Sequence, residues 1–232
     1  MYSLNGACVV TGSDDKTIRI WDTESGATVG QPLTGHQGGV NSVAYSPNGH
    51  YIISGSNDNT IRIWDAEMGA PVSNPLKGDI SLVFSVAYSP DGCHIISRSH
   101  NSTIIWDVMT GAPLGNPLKR GSSSVLSVAY SPDGQHIISR SSNHTIRIWD
   151  AVTDAPVRNT LERHTLLVLS IAYSPDGRYI ISGSNNCTIR IWDAEMGAPV
   201  SNPLEGHTDL VQSVTYSPDG SHIISGSNNH TI

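Results

Sequence analysis

The sequence predicts an all-β fold, a propeller of four-stranded antiparallel blades, and three observations carry that prediction. The stretch Thr60-Ile61-Arg62-Ile63-Trp64-Asp65 recurs at Thr17 to Asp22, Thr145 to Asp150 and Thr188 to Asp193, and in shortened form at Thr103 to Asp107. The five tryptophans fall at 21, 64, 106, 149 and 192, a step of 43 residues broken once by a step of 42. Turn residues separate short β-branched runs in every period, and no run has a helical pattern. A period of about 40 residues with that chemistry marks a repeat array whose unit is one small meander.

The unit from Gly35 to Leu76 shows how each element arises. Val40-Asn41-Ser42-Val43-Ala44-Tyr45 alternates larger apolar with small or polar residues and stops at Ser46-Pro47-Asn48-Gly49, so it reads as a first strand closed by a turn. Tyr51-Ile52-Ile53-Ser54 is short and β-branched and ends at Gly55-Ser56-Asn57-Asp58, a second strand. Thr60 to Trp64 alternates again as a third. After the turn at Ala66-Glu67-Met68-Gly69, Ala70-Pro71-Val72-Ser73 is expected as a fourth, placed at an edge because proline lacks an N–H to donate. The array covers residues 1–232, with units at 1–34 (partial), 35–77, 78–119, 120–162, 163–205 and 206–232 (partial).

Tyr2-Ser3-Leu4-Asn5-Gly6 aligns with Tyr45 to Gly49, and the sequence stops at Thr231-Ile232, two residues into a third strand. Five blades and an incomplete one are expected. Adding Val211 to Tyr216 to the N-terminal three strands would close a ring of five, whereas an open array would leave an unpaired strand edge at each end and invite self-association.

Composition narrows the function. A net charge of −7 with no Lys/Arg cluster argues against a nucleic-acid partner, which needs grouped cations. No apolar run approaches the roughly 20 residues of a membrane-spanning helix, and the N-terminus has no signal-peptide pattern, so a cytoplasmic protein without membrane contact is expected. Cys8, Cys93 and Cys187 occupy three different repeat positions and define neither a disulfide framework nor a metal site. His94, His136 and His222 recur one per unit, too far apart to share an ion, so no metal and no cofactor are expected.

The recurrence of Gly35-His36, Ser46-Pro47-Asn48-Gly49, Ser54-Gly55-Ser56 with Asp58 and Thr60, and Ile63-Trp64-Asp65 resembles the WD40 repeat, and the likeness covers the chain end to end. Asp65 to Leu76 is repeated verbatim at Asp193 to Leu204. That style of repetition is similar to the arrays that end fungal NACHT-type immune receptors, which would make the chain part of a larger array.

The WD40 resemblance implies that His36, Ser54, Asp58 and Trp64 form a hydrogen-bonded tetrad that stiffens the blade rather than a catalytic triad, since a nucleophile would occur once and not once per unit. The other units depart from it. The Asp position reads Asn101, Asn143, Asn186 and Asn229, and the His position reads Asp79, Gly121, His164 and His207. The third unit lacks one residue of its Trp strand, which predicts a shifted alternation or a bulge. Arg98 and Arg140 replace Gly55, and residues 79 to 145 are expected to be the least stable part of the chain.

The resemblance also implies that the residues three and five after the His position face a partner-binding surface. Here they are Gly39 and Asn41, Leu82 and Phe84, Ser124 and Leu126, Leu167 and Leu169, and Leu210 and Gln212, flanked by Asn57 and His100 from the neighbouring turns. Leu and Phe vary there within an otherwise fixed frame. The expected role is a non-catalytic scaffold or sensor module that binds a protein or peptide. A propeller enzyme would need unique acid and base groups among these positions, which carry Leu, Ser, Gly, Asn and Gln instead.

Overall fold

The computed structural model describes residues 1–77, 81–99, 102–118, 125–153, 155–157 and 161–231. Asp79, His100, Asn101, Gly121 and Ser124 lie outside them, as does the side chain of Leu126. The chain divides into two compact units, Met1–Lys119 and Arg120–Ile232.

The first unit holds three sheets. One contains β1 (Cys8–Gly12), β2 (Ile18–Asp22) and β3 (Thr28–Leu33); the next, β4 (Val40–Tyr45), β5 (Tyr51–Ser56) and β6 (Ile61–Asp65); the third, β7 (Val83–Tyr88), β8 (His94–Ser99), β9 (Thr103–Asp107) and β10 (Pro113–Leu114). In the second unit β11 (Val125–Tyr130), β12 (His136–Ser141) and β13 (Ile146–Asp150) make one sheet, β14 (Val168–Tyr173), β15 (Tyr179–Ser184) and β16 (Ile189–Asp193) another, and β17 (Val211–Tyr216) and β18 (Ile223–Ser227) a third. All pairings are antiparallel between consecutive strands. Among the described residues the fold is all-β.

The middle sheet of each unit is covered on both faces by its neighbours within that unit, which explains why its second strand reads Ile-Ile rather than apolar-polar. Ile52 and Trp64 turn one way and pack with Val10, Ile18, Ile20 and Leu33 of the sheet before. Ile53, Ile61 and Ile63 turn the other way, onto Val83, Val86, Ile95 and Trp106 of the sheet after. The second unit repeats this, with Ile138, Ile146 and Ile148 packed on Val168, Ile180 and Trp192. At two of these seams the space fits glycine: a Cβ at Gly55 would lie 2.5 Å from Val83 Cγ1, and one at Gly183 2.8 Å from Val211 Cγ1.

Two expectations are corrected. The fourth strand forms only in part. Ala70 to Ser73 makes a bridge from Pro71 to Trp64 instead of a ladder, as do Pro156 and Pro199 with Trp149 and Trp192. The first sheet, with Thr28 where the others have proline, keeps a six-residue edge strand.

The shortened third unit has no bulge in its Trp strand: β8 and β9 stay in register from His94 opposite Asp107 to Arg98 opposite Thr103. The missing residue is taken from the turn. Ser99 N–H reaches Ser102 O, whereas Ser56 N–H reaches Thr60 O. The strand thereby keeps its alternation and its buried face.

Pairing of Val211 to Tyr216 with the N-terminal strands, one of the two arrangements left open by the sequence, is not made among the described residues. β17 pairs with β18 in its own unit, and in the first sheet it is Tyr2 that bridges Val9, at the position where Tyr45 pairs with Ile52.

Candidate functional site

Trp64 Nε1–H can only donate, and it donates to Ser54 Oγ at 2.8 Å. The Ser54 hydroxyl proton then goes to His36 Nε2 at 2.7 Å, which leaves the imidazole proton on Nδ1, donated to Asp58 Oδ2 at 2.8 Å. Burial holds His36 below its usual pKa against the opposing pull of Asp58, so the ring is neutral near pH 7. Burial also works against the Asp58 carboxylate, but hydrogen bonds from Thr60, the Gln37 N–H and His36 outweigh it and bring its pKa down to about 2. Ser54 is fully buried and its proton is already committed. The arrangement is a clamp from the entry loop through two strands, with no open side at which a serine could meet a substrate.

A second clamp joins His164, Ser182 and Trp192, at 2.7 Å from His164 Nε2 to Ser182 Oγ and 2.8 Å from Trp192 Nε1 to the same oxygen. Its fourth member is an amide: Asn186 Oδ1 lies 3.3 Å from His164 Nδ1, longer than the carboxylate contact of Asp58. Burial, with less support from that amide, lowers the His164 pKa to about 4. The Trp-to-hydroxyl half persists where the His is missing, in Trp106 to Ser97 at 2.7 Å and Trp149 to Ser139 at 2.8 Å.

The varied positions are set by a feature that strand alternation alone did not reveal. Every first strand carries a register shift at one place, between Val40 and Ser42, Val83 and Ser85, Val125 and Ser127, Val168 and Ser170, and Val211 and Ser213. The extra residue is Asn41, Phe84, Leu126, Leu169 or Gln212. A bulge leaves one residue unpaired and re-aims its side chain, here beside the turn that follows the second strand. At the four of these positions whose side chains are described, Asn, Phe, Leu and Gln are thus presented from one backbone device.

Residues 1–165 match the family "IFT122 first beta-propeller", and residues 156–193 and 197–232 match "WD domain, G-beta repeat". The chain belongs to the WD40 β-propeller family. No curated protein matches it. Both matches are to propellers, and neither concerns a NACHT-type receptor. WD40 propeller families are in general non-catalytic scaffolds for protein–protein interaction.

The WD40 frame treats the bulge residues in two ways. Polar ones are tied down: Asn41 Nδ2 donates to Asn57 Oδ1 at 2.7 Å and to Val83 O at 2.9 Å, and Gln212 Nε2 donates to Asn228 Oδ1 at 3.2 Å. Apolar ones leave this network. Phe84 lies beneath Arg98, whose guanidinium carbon sits 4.6 Å from the ring centroid, within cation–π range. Leu169 has no donor to offer, and Asn185 Oδ1, the counterpart of the Asn57 acceptor, is buried without a partner among the described residues. Leu82 is 40% exposed, and Leu167, Leu169 and Leu210 are half-buried.

Arg98 and Arg140 were read from sequence only as substitutions for glycine. In the structure they occupy the second strand beside the bulge, and Arg140 Nη1 donates to Val168 O of the next sheet at 2.7 Å. Within each unit the bulge end therefore combines leucine or phenylalanine with a guanidinium.

At the other end of the strands two clefts occupy repeat-equivalent places. One of ≈ 470 Å³ is lined by Cys8, Tyr45, His50 and Glu67, and one of ≈ 350 Å³ by His136, Tyr173, Arg178 and Glu195. The aspartates beside them are engaged in turns, as where Ser131 Oγ and Gln135 N–H donate to Asp133. Among the described residues no group of three or more His, Cys, Asp or Glu is placed to hold a metal ion, and no helix is long and apolar enough to cross a membrane.

Proposed function

We propose that the chain is a protein-interaction module that binds a protein or peptide through the bulge ends of its sheets. The observation that carries this reading is the replacement of a self-satisfying amide pair, Asn41 with Asn57, by exposed or half-buried apolar side chains at Leu82 and Phe84 in the first unit and at Leu167 and Leu169 in the second. An amide that pairs with its own frame contributes to the fold. A leucine at a solvent-facing position gains little there until something covers it.

The chemistry that fits is an apolar segment with acidic or carbonyl groups, since Arg98 and Arg140 stand beside these residues and guanidinium groups pair with carboxylates in planar geometry. Asn57, His100, Leu126, Leu210 and Gln212 complete the proposed set.

The test is a peptide selected from a displayed library on the wild-type chain. The combined variant Leu82→Ser, Phe84→Ser, Leu126→Ser and Leu169→Ser is expected to bind that peptide at least tenfold more weakly, with an unchanged β circular dichroism spectrum. Undiminished binding by the folded variant would remove these residues from the site.

A further inference from the structure

The ends of the strands opposite the bulges differ from seam to seam at two repeat positions. Between the sheet of β4 to β6 and the sheet of β7 to β10, Tyr51 and Val108 pack on the core around Ile53, Ile63 and Tyr88. Between the sheet of β11 to β13 and the sheet of β14 to β16, inside the second unit, the same two places hold His136 and Ala194. The smaller ring and the shorter side chain leave room there, and the cleft of ≈ 350 Å³ occupies it.

The lining of this cleft sets its charge. It holds four carboxylates, Asp133, Asp176, Asp193 and Glu195, against one guanidinium, Arg178. The three aspartates accept the hydrogen bonds of their turns on Oδ1, from the N–H groups of Gln135, Arg178 and Met196, and each leaves Oδ2 unused among the described residues. Hydrogen bonds from Ser131 and Ser174 hold Asp133 and Asp176 below the usual carboxylate range, so both are charged near pH 7. Ile148, Val157 and Tyr173 add apolar surface to the same lining. The repeat-equivalent cleft of the first unit has Asn5 and Asn48 where this one has Asp133 and Asp176, and so carries less charge.

We propose that the cleft between these two sheets binds a lysine side chain of a partner peptide, with the ammonium among the four carboxylates and the methylene stem along Ile148, Val157 and Tyr173. The excess of carboxylate over guanidinium selects a cation. The turns select an ammonium in particular. A guanidinium fork pairs best with both oxygens of one carboxylate, which three of the four do not offer, whereas an ammonium is a compact charge whose three donors separate oxygens can satisfy. A four-carbon stem also gains from apolar surface while its head stays in polar surroundings. The cleft lies at the other end of the strands from the bulges and does not depend on the function proposed for them.

The test is fluorescence anisotropy of the full chain with a dye-labelled tetralysine peptide, and with the same peptide acetylated on every lysine, which keeps the stem and removes the charge. Tetralysine is expected to bind about tenfold more tightly than its acetylated form, and to weaken by about threefold in Glu195→Gln and about tenfold in the double variant His136→Tyr, Ala194→Val. The double variant fills the cleft with the side chains of the packed seam and keeps all four carboxylates. Equal affinity for the two peptides overturns the proposal, as does tighter binding of a tetra-arginine peptide than of tetralysine. So does undiminished binding by Glu195→Gln or by the double variant; the latter would mean that the lysines are held by surface charge outside the cleft. Tyr and Val are the residues that the repeat carries at these places in Tyr51 and Val108, and circular dichroism checks that the sheets are kept. If the double variant does not fold, His136→Tyr alone, which matches Tyr179 as well as Tyr51, is expected to weaken tetralysine binding in the same direction, and no loss in that variant overturns the proposal.

Discussion

Asn41 Nδ2 donates to the carbonyl oxygen of Val83 at 2.9 Å, so the bulge residue of one sheet holds the first strand of the next. The same amide donates to Asn57 Oδ1, which closes the turn beside it. Where Leu169 takes this place, neither bond can form, and the bulge is released from holding the frame.

The loss of that link can be reversed. Leu169→Gln places an amide opposite Asn185 as Gln212 is placed opposite Asn228, and gives the buried Asn185 Oδ1 a donor. A stability gain of about 0.5–1.5 kcal/mol is expected, the usual net value of one hydrogen bond. Urea unfolding measures it, and peptide binding by the same variant should weaken.

Ser54 and Ser139 differ in what depends on them. Ser54→Ala leaves both Trp64 Nε1–H and His36 Nε2 unsatisfied in the core, while Ser139→Ala leaves only Trp149 Nε1–H. Expected costs are about 2–4 kcal/mol and about 1–2 kcal/mol. Equal losses in denaturant titrations would contradict the clamp.

Thr103 is fully buried, and its hydroxyl has no partner among the described residues. It occupies the position of Ile61, since Arg98 pairs with it as Gly55 pairs with Ile61. Thr103→Val removes an unpaired hydroxyl at nearly constant volume and is expected to stabilise the chain by about 1–2 kcal/mol, read from the urea midpoint.

Stability should also fall in mild acid. The unfolded chain protonates histidine near the ordinary value of 6.5, whereas His164, held by burial at about 4, stays neutral in the fold. Between those values the unfolded state binds more protons, so stability declines as pH drops from 6.5 toward 4. Asp58 adds a further loss between 3.8 and about 2, as its carboxylate protonates in the unfolded chain first. Asn186→Asp gives His164 the carboxylate that His36 has and should flatten the decline above pH 4 in thermal melts recorded at each pH.

Much of the fold was legible because the repeat states it several times. The Trp strands, the Ile-Ile strands and the turn at Ser46 to Gly49 are each set by local chemistry, and the structure places all of them where the period does. The bulge was not legible, because Val40-Asn41-Ser42-Val43 alternates acceptably with or without it. The turn that absorbs the deletion at Ser99 to Ser102 was missed for a related reason: a lost residue looks the same in a strand and in a turn until register is known, and keeping Ile104, Ile105 and Trp106 buried favours the turn. The clamp residues followed from the WD40 resemblance of the motifs that carry them. What could not be read was that Arg98 would cover Phe84, a contact between neighbouring strands that no single-strand pattern encodes.

Hydrogen exchange of the wild-type chain with and without the selected peptide tests the partner-binding assignment most directly. The expected result is slowed exchange at the bulge ends, in the amides of residues 81–85, 165–170 and 184–186, with no change at Ser46 to Gly49 or Ser174 to Gly177 at the opposite end of the strands. Protection confined to those opposite turns would place the partner at the clefts and contradict the account.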